Sequence, residues 1–209
     1  MKYFFDTEFI EGFHSTGSRL FGSDRRRHHV DLISIGIVAE DGREYYEISS
    51  EYNYEEADEW VKENVIRPLY IKTVHGDARN HCDASNFHYH FGKPLKTIKA
   101  ELLKFFDAKE WPRAGGLPSK WHVDSPEIYA YFADYDWVVF CSIFGRMIDL
   151  PEGMPMFCMD IKQMMEERGL TKEWKRQRFP DDDAHDALED AKWNKRLYEE
   201  VIQVPFKQI

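Results

Sequence analysis

An α/β domain with a mixed, five-stranded central sheet flanked by helices is the fold class this sequence predicts, and three observations carry it. Three apolar, β-favouring runs near the start are separated by turn-forming residues. Beyond them, helical patterns alternate with further short apolar runs, the order expected when helices cover a sheet. The chain has 209 residues, 43% of them hydrophobic and 15% aromatic, enough for a sizeable core and unlike a disordered composition. One domain over residues 1–209 is therefore expected.

Residues 2–10 read as a buried strand on Tyr3, Phe4, Phe5, Phe9 and Ile10. Asp6 and Glu8 interrupt it, and residues two apart in a strand project from the same face. Two carboxylates held side by side repel and lose hydration, so a cation belongs between them unless the strand frays there and both are solvated. Residues 11–30 are rich in Gly, Ser, Arg and His and read as a mobile insertion. Residues 31–39 are the second strand, Asp41-Gly42 a hairpin turn, and 43–49 the third strand. Asn53 and Glu56 have the spacing of a capping box, opening a helix that Pro68 ends. Residues 75–92 look irregular, and 95–106 show helical spacing in Ile98, Leu102, Leu103, Phe105 and Phe106. Ser125-Pro126 has the pattern of a helix start, with the helix running through Ile128, Tyr129 and Phe132. Residues 137–142 (WVVFCS) then read as a fourth strand and 157–159 as a short fifth. Asp160 is placed to cap a helix over 161–168 that Gly169 closes, and 183–202 form the last helix.

The net charge of −10 argues against broad non-specific binding along a polyanion. It leaves open an enzyme that holds a few nucleotides through metal ions. The basic clusters Arg25-Arg26-Arg27 and Lys172, Lys175, Arg176, Arg178 read singly as solvated surface. Cys82, Cys141 and Cys158 form no Cys-x-x-Cys pair, which suggests free thiols in a reducing cytoplasm. No apolar run is long enough for a membrane span, and the start lacks a secretory pattern. His75, His81, Cys82, His88 and His90 are zinc-type donors, but their spacing fits no finger, so a surface loop is the simpler reading.

Three acidic motifs stand in order: FFDTEF with Asp6 and Glu8, YDWVVF with Asp136, and HDALED with His185 and Asp190. Asp134 competes with Asp136, and the spacing to the following apolar run favours Asp136. Together these motifs resemble the DEDD superfamily of 3′-to-5′ exonucleases, in the branch with a histidine five residues before the last acid (DEDDh). FFDTEFIEG, DLISIGIVAEDGREYY, YDWVVFCSIFG and the DIKQ of 160–163 look closest to the ribonuclease AS family, with ribonuclease T and oligoribonuclease more distant. The segment 11–30 departs from that pattern.

The resemblance implies a ribonuclease-H-like fold and a two-metal-ion hydrolysis of phosphodiesters. Such ions are hard cations that take oxygen ligands: magnesium, two per site, with manganese able to substitute. It further implies that Asp6 bridges both ions, Glu8 and Asp190 complete the site of the attacking water, Asp136 supports the second ion, and His185 is the general base. The substrate would be a single-stranded RNA 3′ end, adenylate by preference, and the protein a homodimer. Phe9 is a candidate to stack on the terminal base, though a core aromatic is an equal reading, and Gln163 is a candidate to read a base edge. Asp186 and Glu189 read as solvated helix faces, and Asp181-Asp182-Asp183 as a solvated acidic loop. A deoxyribonuclease of the same branch and a non-catalytic nucleic-acid-binding module are the alternatives. The second is disfavoured, because such a module has no use for four acids and a histidine.

Overall fold

The computed structural model describes residues 1–15, 26–74, 82–106, 125–179 and 185–207. Five strands, β1 (Lys2–Ser15), β2 (Arg26–Ala39), β3 (Glu44–Ile48), β4 (Glu127–Ala130) and β5 (Met159–Asp160), form one sheet in the order β3-β2-β1-β4-β5. β1 pairs antiparallel with β2 and β2 with β3, while β1–β4 and β4–β5 are parallel. This is the mixed five-stranded sheet that the sequence predicts. Gly42, with φ of +88°, supplies the left-handed residue of the β2–β3 turn.

Helices cover both faces, and the alternation of β1 decides which residues meet which helix. Tyr3 and Phe5 point to one side, into a core with α4 (Leu95–Phe105) and α5 (Ala133–Phe144). Phe4 points to the other, where it packs against Tyr129 and against Leu197, Tyr198 and Val201 of α8 (Ala187–Val201), with Ile161 and Met165 of α6 (Ile161–Glu167). Burying each such aromatic or aliphatic side chain is worth about 1.5–3 kcal/mol. A third cluster, Ile10, Ile33, Tyr52, Val65, Ile66 and Phe87, fastens the β1–β2 hairpin to the helical segment after β3.

Several elements differ from the sequence reading. The segment 11–30 is not loop at its ends: β1 continues to Ser15 and β2 starts at Arg26, paired residue by residue. Polar cross-strand partners hide that extension from a hydrophobicity pattern. Residues 16–25 of the expected insertion, Arg25 among them, lie outside the described residues. Asn53 caps only a 3-10 turn, Tyr54–Glu56, and Asp58 caps the next element, α1 (Glu59–Val61). Pro68 does not end that helix. The chain passes through a π turn, Lys62–Ile66, and on into α2 (Arg67–Val74), so the widened turn just before Pro68 accommodates its ring and missing N–H.

Around residues 125–144 strand and helix exchange places. Glu127–Ala130 is β4, not a helix, and Ala133–Phe144 is α5, not a strand. The run WVVFCS is apolar because Trp137, Val139, Phe140 and Cys141 are buried and the exposed position between them is held by Val138. The buried α5 residues Ala133, Asp136, Trp137, Phe140, Ile143 and Phe144 keep the three- and four-residue spacing of a helix. The short fifth strand lies at Met159–Asp160, slightly later than expected. Asp160 caps α6 and Gly169 follows that helix with φ of +68°, both as read from the sequence. α7 (Lys172–Arg178) carries the second basic cluster.

In the His-rich segment, residues 75–81 fall outside the description. His88, in α3 (His88–Phe91), is buried with its ring stacked 4.0 Å from that of Tyr52, which makes it a core residue. Among the described residues no helix is long and apolar enough to cross a membrane.

Candidate metal centre

Carboxylates converge on the middle of β1. Asp6 and Glu8 share its α8-facing side, opposite Gly36 and Ser34 of β2. Immediately after Glu8 the register slips, with Glu8 opposite Ser34 and Phe9 opposite Leu32, a bulge that bends the strand beside the acids. Gly36 then admits α8. A Cβ there would stand 2.2 Å from the Ala187 carbonyl oxygen and 2.3 Å from Leu188 N, so only glycine lets the first turn of α8 lie on the sheet. Asn194, one turn on, is buried and donates to the Phe5 carbonyl at 3.0 Å, which pins α8 along β1. Asp190 stands between these two anchors. Oxygens of Asp6, Glu8 and Asp190 all lie within 4.8 Å of one another.

Asp136 enters from the opposite side of the strand. It sits in the first turn of α5, buried, and its Oδ1 accepts from both Thr7 N–H (2.9 Å) and Thr7 Oγ1 (2.6 Å). Thr7 is the buried residue between the two strand acids, facing α5 as they face α8. Its two bonds use one carboxylate oxygen of Asp136 and leave the other for a ligand. Asp134, exposed on the same turn, is set apart from the group by helix geometry. Asp160 braces this side: it accepts from Ala133 N as well as from Lys162 N and Gln163 N.

Crowding of these carboxylates raises their affinity for protons. Burial first, then the neighbouring Asp136, Glu8 and Asp190, hold the Asp6 carboxyl well above the usual carboxylate range. Glu8 is pushed up to about 8 by burial and by Asp190, Asp136 and Asp186. Asp136 rises to about 6 through burial, an effect that the Thr7 hydroxyl and N–H oppose. The donors are all oxygen, so the residues fit a hard divalent ion of the magnesium type.

His185 precedes α8, half-buried, with a left-handed φ of 38° and its ring edge-on to Trp60 at 4.9 Å. Trp60 belongs to α1 and is 55% exposed. Sequence reasoning passed over it, since one Trp on a short helix carries no motif. It also misread Asp186, which is not a solvated helix face. Asp186 is buried, accepts from Leu188 N and Glu189 N as the cap of α8, and meets Lys72 Nζ at 2.5 Å. Glu189 is exposed, as expected, and Asp181-Asp182-Asp183 lies outside the described residues.

The two substrate candidates fare differently from the acids. Phe9 is half-buried against the α5 core and lies parallel to Tyr135, with centroids 5.7 Å apart, so one face of its ring is already covered. Gln163 is exposed in the first turn of α6, with its N–H bonded to Asp160. Phe144 is buried against Phe140 and offers no face to a base. The second acidic group with a histidine, His29, Asp31 and Glu56, lies where β2 meets the 3-10 turn, with His29 Nε2 2.6 Å from Glu56.

The sequence has relatives. Two curated proteins of Mycobacterium tuberculosis, the 3'-5' exoribonuclease Rv2179c of strain H37Rv and the 3'-5' exoribonuclease MT2234.1 of strain CDC 1551, are each 33% identical to this chain over 193 residues. The aligned region takes in 92% of this chain and 88% of each relative. The profile of the 3'-5' exoribonuclease Rv2179c-like domain matches residues 23–202, which include Asp136, His185 and Asp190. On a match of that extent, the chain belongs to the Rv2179c-like 3'-5' exoribonuclease family.

Proposed function

We propose that this exoribonuclease is a magnesium-dependent enzyme of the DEDDh type that removes nucleotides one at a time from single-stranded 3′ ends, adenylate by preference. The observation that carries the proposal is the meeting of Asp6, Glu8 and Asp190 within 4.8 Å, with Asp136 buried at their side. Two divalent ions bound there would polarise the terminal phosphodiester and the water that attacks it. Asp6, Glu8 and Asp190 are the residues to hold them, and Asp136, steadied by Thr7, supports the second. His185 takes the proton of the attacking water on a ring nitrogen, and its ring is oriented by Trp60. As the water oxygen bonds to phosphorus, the bond from phosphorus to the 3′ oxygen breaks. A nucleoside 5′-monophosphate and a shortened RNA with a free 3′-hydroxyl leave.

Single-strand selectivity follows from placement. The acids lie beneath the first turns of α5 and α8, so a paired end would have to fray before its last phosphate reached them. A net charge of −10 adds little long-range attraction for a duplex. The adenylate preference rests on the resemblance to the ribonuclease AS family, with Gln163 and Phe9 as the side chains to test. Homodimerisation rests on the same resemblance, and the exposed Tyr135 and Val138 of α5 supply an apolar face for it.

The test is a cleavage ladder. RNA oligomers of each base and their DNA counterparts, 5′-labelled, are incubated with magnesium, with manganese and with excess EDTA. We expect single-nucleotide shortening of RNA with either metal, fastest on oligo-A, and none in EDTA. Full activity in EDTA would remove the metal proposal, equal rates on all bases the adenylate preference, and faster cleavage of oligo-dA the choice of RNA. Sedimentation measures the dimer.

A further inference from the structure

One continuous helical segment touches two consecutive residues of the third motif from two separate points. It runs from α1 through the π turn to the end of α2, residues 59–74. Near its start Trp60 meets the His185 ring. Near its end Lys72 Nζ lies 2.5 Å from Asp186 Oδ2 and 5.7 Å from the ring centre of Tyr46 on β3. Asp186 itself is buried and fully engaged: Oδ1 takes Leu188 N–H and Glu189 N–H, both at 3.2 Å, and its carbonyl takes Asp190 N–H at 2.8 Å. Its backbone follows directly on His185, whose left-handed φ is a conformation a non-glycine residue keeps only when its surroundings hold it.

We infer that Lys72 is a positioning residue of the nuclease site, acting through Asp186 to fix the His185 ring and the first turn of α8 that carries Asp190. The inference rests on the nuclease reading above for its catalytic consequence, and on geometry alone for its structural part. The logic is that of a clasp. Asp186 joins the strained histidine to the helix, and both of its carboxylate oxygens are tied, one to the helix and one to α2. Without the ammonium group, Oδ2 loses its partner, and nothing offsets the repulsion between this carboxylate and Asp6 and Glu8. The cap of α8 loosens in consequence, and so does the backbone that aims His185. A shift on the order of 1 Å in such a group is enough to cost about 100-fold in rate. Lys72 is 59% exposed, so its loss removes little packing. That exposure also admits a rival role, direct contact with an RNA phosphate, and the two roles separate experimentally.

The experiment compares Lys72→Met, Lys72→Arg, Asp186→Asn and the double variant K72M/D186N in kcat and KM on 5′-labelled oligo-A. The His185 Cε1–H signal is followed in parallel by NMR in the metal-free protein. A positioning role lowers kcat about 10–100-fold in K72M with KM within about twofold of wild type, and Lys72→Arg recovers most of it. The double variant is then no worse than the poorer single one, because both break the same link. The His185 signal shifts or broadens in K72M and returns in K72R. A rise in KM with unchanged kcat, losses that add in the double variant, or an unmoved His185 signal would overturn the inference. Should wild type cleave no RNA, the nuclease reading fails while the NMR comparison still decides whether Lys72 holds His185.

Discussion

Thr7 lies between two acids yet serves a third, and exchanging its hydroxyl for a methyl isolates that service. Thr7→Val keeps the shape and the backbone N–H bond to Asp136 but removes the 2.6 Å bond from Oγ1. Partners that hold a metal-binding residue in place are typically worth about 10–100-fold in metal affinity. We therefore expect Thr7→Val to weaken manganese binding about tenfold by calorimetry, with Thr7→Ser close to wild type. Equal affinity in the valine variant would show that the backbone bond suffices. In the proposed mechanism His185 gives the complementary case, acting on water and holding no ion. His185→Ala should lower kcat by about 10²–10⁴-fold while metal affinity changes little. A near-wild-type rate from pH 6 to 9 would remove the general-base role.

At the scale of elements, the site depends on how closely α8 approaches β2. Gly36→Ala places a methyl group 2.2 Å from the Ala187 carbonyl, a backbone atom that cannot swing aside. We expect it to cost about 3 kcal/mol, or roughly 6–12 °C in Tm for a chain of this size, and to lose activity as Asp190 is pushed from Asp6. Thermal unfolding and the RNA ladder measure the two effects separately. Elements also show what could be read beforehand. β1, β2 and β3 were legible because apolar runs bounded by Asp41-Gly42 have few other solutions, and α4 because its spacing is regular. β4 and α5 were exchanged because the run from Trp137 to Cys141 is apolar throughout: its exposed position is Val138, so no polar residue there marks a helix face. Asp136 was nevertheless picked out, since its place in the motif does not depend on which element bears it. Asp186 was misread, and Gly36 and Trp60 escaped notice, because their importance lies in contacts with segments 114, 151 and 125 residues away in the chain, to Lys72, Ala187 and His185 respectively.

Considered whole, the metal-free molecule stores unfavourable charge at its centre, and the charge has a pH signature. Glu8 titrates at 4.5 when unperturbed but at about 8 in the fold, and Asp6 is raised as well. Between those values the folded state retains protons that the unfolded chain has already released. Stability in EDTA should therefore be fullest below pH 4.5 as far as Glu8 contributes, fall as pH climbs toward 8 and level off above, with Asp6 acting in the same direction. A saturating divalent ion takes the place of the protons, so magnesium should raise Tm more at pH 8 than at pH 5.5. A Tm in EDTA that does not fall across that range would contradict the mutual repulsion of the acids. The same centre draws on distant parts of the sequence: Asp6 and Glu8 come from the first strand and Asp190 from α8. Synthesis runs from the first pair towards the last acid, so Asp6 and Glu8 are made well before the helix that carries Asp190. A chain grown only as far as α5 holds Asp6, Glu8 and Asp136 but lacks Asp190. The proposed centre is therefore complete only once α8 has joined the sheet, which makes the docking of one helix the step that switches the group on.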